Sequence, residues 1–218
     1  MSNIINLIKL DYYIQKAYIS ARILIIAFIA TFVVILNHNP PLIMYVISLA
    51  VANSMGTTFS IYEKNKLNML YGILPIRKQQ IVIGRYLFTL AFGLLNEVIG
   101  AVLTLIVAYA LNINVSNFTF IAYLCGSFLL FCLFISVQFP LYFKYEFSNI
   151  IAVAILPLLL SFIVVMTLIK KHAELFSQVI KFFIHNPNMI WLIGIGAGLI
   201  ILSISCLLSC VIYKHREL

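Results

Sequence analysis

Glu63-Lys64-Asn65-Lys66-Leu67-Asn68-Met69-Leu70-Tyr71-Gly72-Ile73-Leu74-Pro75-Ile76-Arg77-Lys78-Gln79-Gln80-Ile81-Val82-Ile83-Gly84-Arg85-Tyr86 is a polar break between two apolar runs. Leu67, Leu70, Tyr71 and Leu74 recur at helical spacing, with Lys66 and Asn68 off that stripe. Leu74-Pro75 stops the helix, because the residue before proline is pushed out of the α region. Arg77 to Gln80 then starts a new helix that enters the apolar phase by Ile81. The segment therefore reads as a short surface helix, a corner and a new membrane span. On charge alone it is also an ordinary basic loop.

What surrounds this break is built for lipid. The chain is 64% hydrophobic and 9% charged, with a mean hydropathy of +1.12. A soluble domain carries roughly 25% charged residues. A span needs about 20 apolar residues, so 218 residues hold about six spans with short loops and no soluble catalytic or nucleotide-binding domain. The expected spans are 18–36, 42–62, 86–111, 118–142, 149–169 and 189–213. Arg22 snorkels near the start of the first. Pro140 and Pro157 kink the fourth and fifth. Residues 2–17 mix Ile4, Ile8 and Tyr12 with Lys9, Asp11, Gln15 and Lys16. They read as an amphipathic helix in the membrane interface, with an imperfect polar face and Tyr12 and Tyr13 at headgroup level. Asp11 argues against a cleavable signal peptide. The fold class is thus all-α integral membrane, one membrane domain over 1–218, with an interfacial helix at 1–17 and a polar segment at 63–85 between spans two and three.

The net charge of +8 reads as topology rather than nucleic-acid binding. With six spans, Lys9, Lys16, Arg22, Lys64, Lys66, Arg77, Lys78, Arg85, Lys144, Lys214 and Arg216 share one side, against Lys170, Lys171 and Lys181 on the other. The positive-inside rule places both termini in the cytoplasm. The Ile-, Asn- and Lys-rich usage points to a bacterial cell membrane.

Chemistry is sparse. There is no G-x-x-x-x-G-K-[ST] loop and no His/carboxylate pair at one-turn spacing. No catalytic, cofactor or metal site is expected. Cys125, Cys132, Cys206 and Cys210 fall in apolar runs without ligand partners and read as small packing residues. Glu97 is the one acidic residue deep within a span. It shares a face with Gly93, Gly100, Ala101 and Thr104, and Asn96 precedes it. An intramembrane carboxylate is costly and faces protein or water. Asn96 and Glu97 are therefore candidates either for a translocation path or for a helix-packing anchor. Gly194-x-x-x-Gly198 permits close helix approach, as an internal contact or a dimer seam.

Leu74-Pro75-Ile76-Arg77-Lys78-Gln79-Gln80-Ile81-Val82-Ile83-Gly84-Arg85-Tyr86-Leu87 resembles the LPxSRKxIVxxKYL pattern of small bacterial ABC exporter permeases of the type-2 class. Glu63-Lys64 resembles the acidic-basic pair at the end of that family's second helix. The six-span layout matches as well. Arg77 stands where the family has Ser or Thr, so a hydroxyl helix cap is missing. The resemblance implies a transmembrane subunit that uses a separate ATPase, which binds ATP and Mg. It implies two ATPase copies and a second permease, identical or related. It makes Glu63, Lys64, Lys66, Leu67, Leu70, Tyr71, Arg77 and Lys78 the ATPase-docking candidates, on a coupling helix. The chain is also similar to permeases that export amphipathic peptides such as phenol-soluble modulins, bacteriocins or lantibiotics, which implies amphipathic peptide cargo. A membrane immunity or sensor protein binding a toxic peptide is the alternative, and a vitamin-binding importer subunit a third reading.

Overall fold

A computed structural model describes residues 5–16, 38–65, 77–145 and 187–215. These form five helices: α1 (5–16), α2 (Leu42–Lys64), α3 (Lys78–Ala110), α4 (Asn117–Lys144) and α5 (Pro187–Lys214). The last four are long and apolar enough to cross a membrane. They correspond to the expected second, third, fourth and sixth spans. The expected first and fifth spans, Arg22, Pro157 and residues 66–76 of the coupling segment lie outside the described residues.

Local chemistry sets the helix ends. Pro40 and Pro41 lead into α2, where a missing N–H costs nothing. The first turn is closed by tight backbone bonds, Leu42 to Asn39 at 3.2 Å and Ile43 to Pro40 at 3.1 Å. Ser116 caps α4 by accepting from the Thr119 N–H at 3.1 Å. α3 begins at Lys78, eight residues before the expected span start at Tyr86. The missing hydroxyl cap at Arg77 is replaced from within the helix: the Arg77 N–H donates to Gln80 Oε1 at 3.3 Å. At 33 residues and about 1.5 Å per residue, α3 is ~50 Å long and outruns a ~30 Å hydrocarbon core.

α3 and α4 lie between α2 and α5, and α4 makes its most extensive contact with α5. α2 is the most enclosed, with 61% of its apolar window buried against 22% for α3 and α5. Its inward stripe is Ile43, Ile47, Val51, Met55, Phe59 and Tyr62, recurring every three to four residues. α3 and α5 turn broad apolar faces outward, including Leu95 and Val98 on one and Leu192 and Leu207 on the other. Those faces suit lipid.

Small residues seat the helices, as expected where packing drives association. A side chain at Gly194 would meet Cys125 at 3.0 Å, and one at Gly198 would meet Phe128 at 3.0 Å and the Cys132 sulfur at 3.1 Å. Gly194-x-x-x-Gly198 is thus an internal α4–α5 contact, and Cys125 and Cys132 are the small residues opposite it. Gly196, between them, faces open space. On α3, Gly93 receives the buried ring of Phe131, and Gly100 lies against the α2 backbone at Met44, 3.6 Å from where a Cβ would stand.

Candidate functional site

Three polar places interrupt this apolar bundle. The first is one end of it. The C-termini of α2, α4 and α5 and the N-terminus of α3 meet there: Phe143 packs edge-to-face with Tyr213, centroids 5.3 Å apart, and Lys78 Nζ donates to the Lys214 carbonyl at 3.5 Å. Lys64, Arg77, Lys78, Lys144 and Lys214 collect at this end. Among the described residues the opposite end, at 38–42, 110–118 and 187–190, carries no Lys or Arg. Of the docking candidates, Lys64 and Arg77 are exposed while Glu63 and Lys78 are half-buried. Lys78 favours the carboxyl end of α5, where a cation suits the helix dipole. Lys66, Leu67, Leu70 and Tyr71 lie outside the described residues.

The second place lies just inside this basic end. Leu7, Asp11 and Gln15 form the buried stripe of α1, whereas Ile5, Tyr12 and Tyr13 are exposed. The imperfect polar face of this helix has a cause: two of its polar residues turn into the bundle rather than toward water. Tyr62 Oη donates to Asp11 Oδ1 at 2.8 Å. Gln15 Nε2 donates to Thr58 Oγ1 at 2.6 Å and to the Ser54 carbonyl at 3.0 Å. The contacts advance along α1 as they retreat along α2, so the two helices run side by side in opposite senses. Burial pushes the Asp11 carboxyl up from 3.8, partly offset by the charge of Arg85 and by the Tyr62 hydrogen bond. The Arg85 guanidinium lies 4.2 Å from the Tyr62 ring centroid and 4.3 Å from that of Phe59, a cation–π cage worth about 2 kcal/mol when desolvated. Phe59 in turn packs on Phe139, Tyr142 and Phe143 at 5.1–5.2 Å. Sequence reasoning missed this junction. Its signal was the four-residue spacing of Leu7, Asp11 and Gln15.

The third place is Glu97, buried at 7% exposure. Ser48 Oγ of α2 donates to Glu97 Oε1, and Ser127 Oγ of α4 donates to Oε2 at 2.7 Å. One carboxyl therefore ties three helices together. Asn96 does not join it: its Nδ2 donates to the Phe92 carbonyl of its own helix at 2.7 Å. The structure separates two residues that adjacency in sequence had paired.

Beside these, an apolar crevice of about 380 Å³ opens between α4 and α5 toward the end opposite the basic one, lined by Phe118, Cys125, Leu129, Ile190 and Ile193. Among the described residues no group of His, Cys, Asp or Glu is placed to hold a metal.

The arrangement is that of a membrane bundle with one basic face and no reaction centre among its described residues. The sequence pattern defining the ABC-2 family transporter proteins matches residues 6–214. The chain belongs to the ABC-2 family of transporter proteins. As an ABC-2 permease it is a multi-pass membrane subunit without a catalytic domain, and the family implies an ATPase partner. No curated protein and no solved structure matches the chain. The family match spans α1 as well as α2–α5, so the inward-facing Asp11 and Gln15 belong to the permease unit itself.

Proposed function

We propose that this ABC-2 permease is the transmembrane half of an ATP-driven exporter that moves amphipathic peptides out of a bacterial cytoplasm. The observation that carries the reading is the basic end. Every described helix terminus bearing Lys or Arg among α2–α5 converges on it, which supports a cytoplasmic location for that end and for both chain termini. The coupling segment 63–85 joins α2 to α3 at this same end. Glu63, Lys64, Lys66, Leu67, Leu70, Tyr71, Arg77 and Lys78 form the docking surface for the ATPase. Two ATPase copies bind ATP and Mg, and two permease chains, identical or related, complete the transporter. Closure of the ATPase pair pushes on the coupling segments and tilts α2 and α3. The apolar crevice between α4 and α5 favours cargo with an apolar face. Membership in a transporter family displaces the immunity-protein and vitamin-binding readings.

The test is co-purification with the ATPase encoded beside this chain. Wild type is expected to retain the ATPase, and a Glu63→Ala, Leu70→Asp, Tyr71→Ala variant to lose it while remaining folded. Retention by the variant would move the docking surface elsewhere. No ATPase on the intact wild-type chain would sink the exporter reading.

A further inference from the structure

Pro140 stands inside α4, one turn from its basic end. Proline has no N–H, so the carbonyl of Ser136, four residues earlier, loses its helical donor. In a membrane helix such a carbonyl must find another partner. Ser205 of α5 supplies it: its Oγ donates to the Ser136 carbonyl at 2.8 Å. A hydroxyl has one proton. The 2.7 Å contact between Ser205 and Tyr86 Oη therefore runs from Tyr86 to Ser205. Tyr86 has then used its own proton, so the 2.9 Å contact with Ser209 runs from Ser209 to Tyr86. The result is a directed chain, Ser209 to Tyr86 to Ser205 to the Ser136 carbonyl, across α3, α4 and α5. Tyr86, Ser205 and Ser209 are all buried. The chain terminates on the one carbonyl of α4 that Pro140 leaves without a donor.

A second observation falls in the same turn. Gln138, two residues before Pro140, is buried at 1% exposure, and among the described residues its Oε1 has no hydrogen-bond partner. Buried acceptors are rarely left so. This stretch of α4 is not at a hydrogen-bonding optimum. Beyond it the helix carries Tyr142 and Phe143, which pack on Phe59, and Lys144 at the basic end. On its other side Ser127 is fastened to Glu97.

We propose that Pro140 is a hinge in α4 and that Ser205 is the clasp that holds it shut. When Ser205 leaves the Ser136 carbonyl, the last turns of α4 pivot against α5 while the part bound to Glu97 stays in place. Helix breaks at proline are the usual sites of such bending. The proposal concerns the permease chain itself and stands whether or not the cargo is a peptide.

The test is hydrogen–deuterium exchange and thermal melting of the full chain in lipid nanodiscs. Four proteins are compared: wild type, Ser205→Ala, Pro140→Ala and the double variant. Ser205→Ala is expected to speed amide exchange over 137–145 roughly fivefold, the factor carried by one ordinary hydrogen bond, and to leave 117–130 unchanged. Pro140→Ala restores the N–H that Ser136 lacks, so adding Ser205→Ala to it is expected to change nothing. Tyr86→Phe leaves Ser205 free to donate and keeps slow exchange over 137–145. If Ser205→Ala fails to fold, recovery of folding by the double variant supports the clasp and its failure overturns it. An equal effect of Ser205→Ala in both backgrounds, or a change spread over all of α4, would show that Ser205 merely fills space.

Discussion

Glu97 offers the sharpest test of how this bundle is held. If it is an anchor, its replacement should cost the two interhelical hydrogen bonds it accepts and little else. Each such bond in a membrane protein is worth about 0.6 kcal/mol on average and at most about 1.7. The two donors have fallback partners. Ser48 Oγ lies 2.9 Å from the Met44 carbonyl, and Ser127 Oγ lies 2.9 Å from the Leu124 carbonyl. Neither hydroxyl is orphaned when the carboxyl goes, so the penalty for a buried unsatisfied donor is absent. Glu97→Leu should therefore destabilise by only about 1 kcal/mol. Glu97→Gln keeps the shape and one acceptor, and should cost less than about 0.5 kcal/mol. Glu97→Lys places a cation among hydroxyls and glycines, and should cost about 3 kcal/mol or more. The assay is an unfolding titration with sodium dodecyl sulfate in mixed micelles, run alongside Ser48→Ala and Ser127→Ala cycles. Transport is then measured per folded molecule in vesicles. The reasoning fails if Glu97→Lys is tolerated as well as Glu97→Gln. It also fails if Glu97→Gln folds normally yet loses transport, for then the carboxyl serves the path rather than the packing.

Two further outcomes follow from the geometry. The Asp11 carboxyl is raised above 3.8 by burial, so the folded chain binds a proton more tightly there than the unfolded one. Its contribution to stability is full below pH ~3.8 and is lost as pH rises through the raised folded value. Melting curves should show that slope in the wild type and a flatter one in Asp11→Asn. An equal slope in both would refute burial as the dominant influence on Asp11. Gly196 faces open space while Gly93 receives the enclosed Phe131 ring. Gly196→Ala should gain up to ~1 kcal/mol of helix propensity, whereas Gly93→Ala should lose about 1–3 kcal/mol to overpacking. Both are read by the same unfolding titration, and reversal of the order would contradict the packing described.

Much of the architecture was legible in one dimension. Four of the expected spans coincide with α2, α3, α4 and α5, because twenty apolar residues in sequence suffice to mark a helix in lipid. The gathering of Lys64, Arg77, Lys78, Lys144 and Lys214 at one end followed from counting charges between spans. The helix start expected at Arg77 to Gln80 was legible as well, since α3 begins at Lys78 and Gln80 Oε1 accepts from the Arg77 N–H there. The imperfect polar face of residues 2–17 was legible, but not that Asp11 and Gln15 turn into the bundle, because periodicity reports that residues share a face and not what that face meets.

The sequence by itself determined that this chain lives in a membrane, which of its runs are helices and which end is basic. Those properties are sums over neighbouring residues. Only the tertiary structure decided that Glu97 ties three helices, that Gly194 and Gly198 serve an internal contact, and that a serine on α5 satisfies the carbonyl freed by Pro140. The partners concerned stand 49 and 30 residues from Glu97 and 69 residues from Ser136. At such separations a hydrogen bond is chosen by how helices cross, and spacing along the chain carries no record of it.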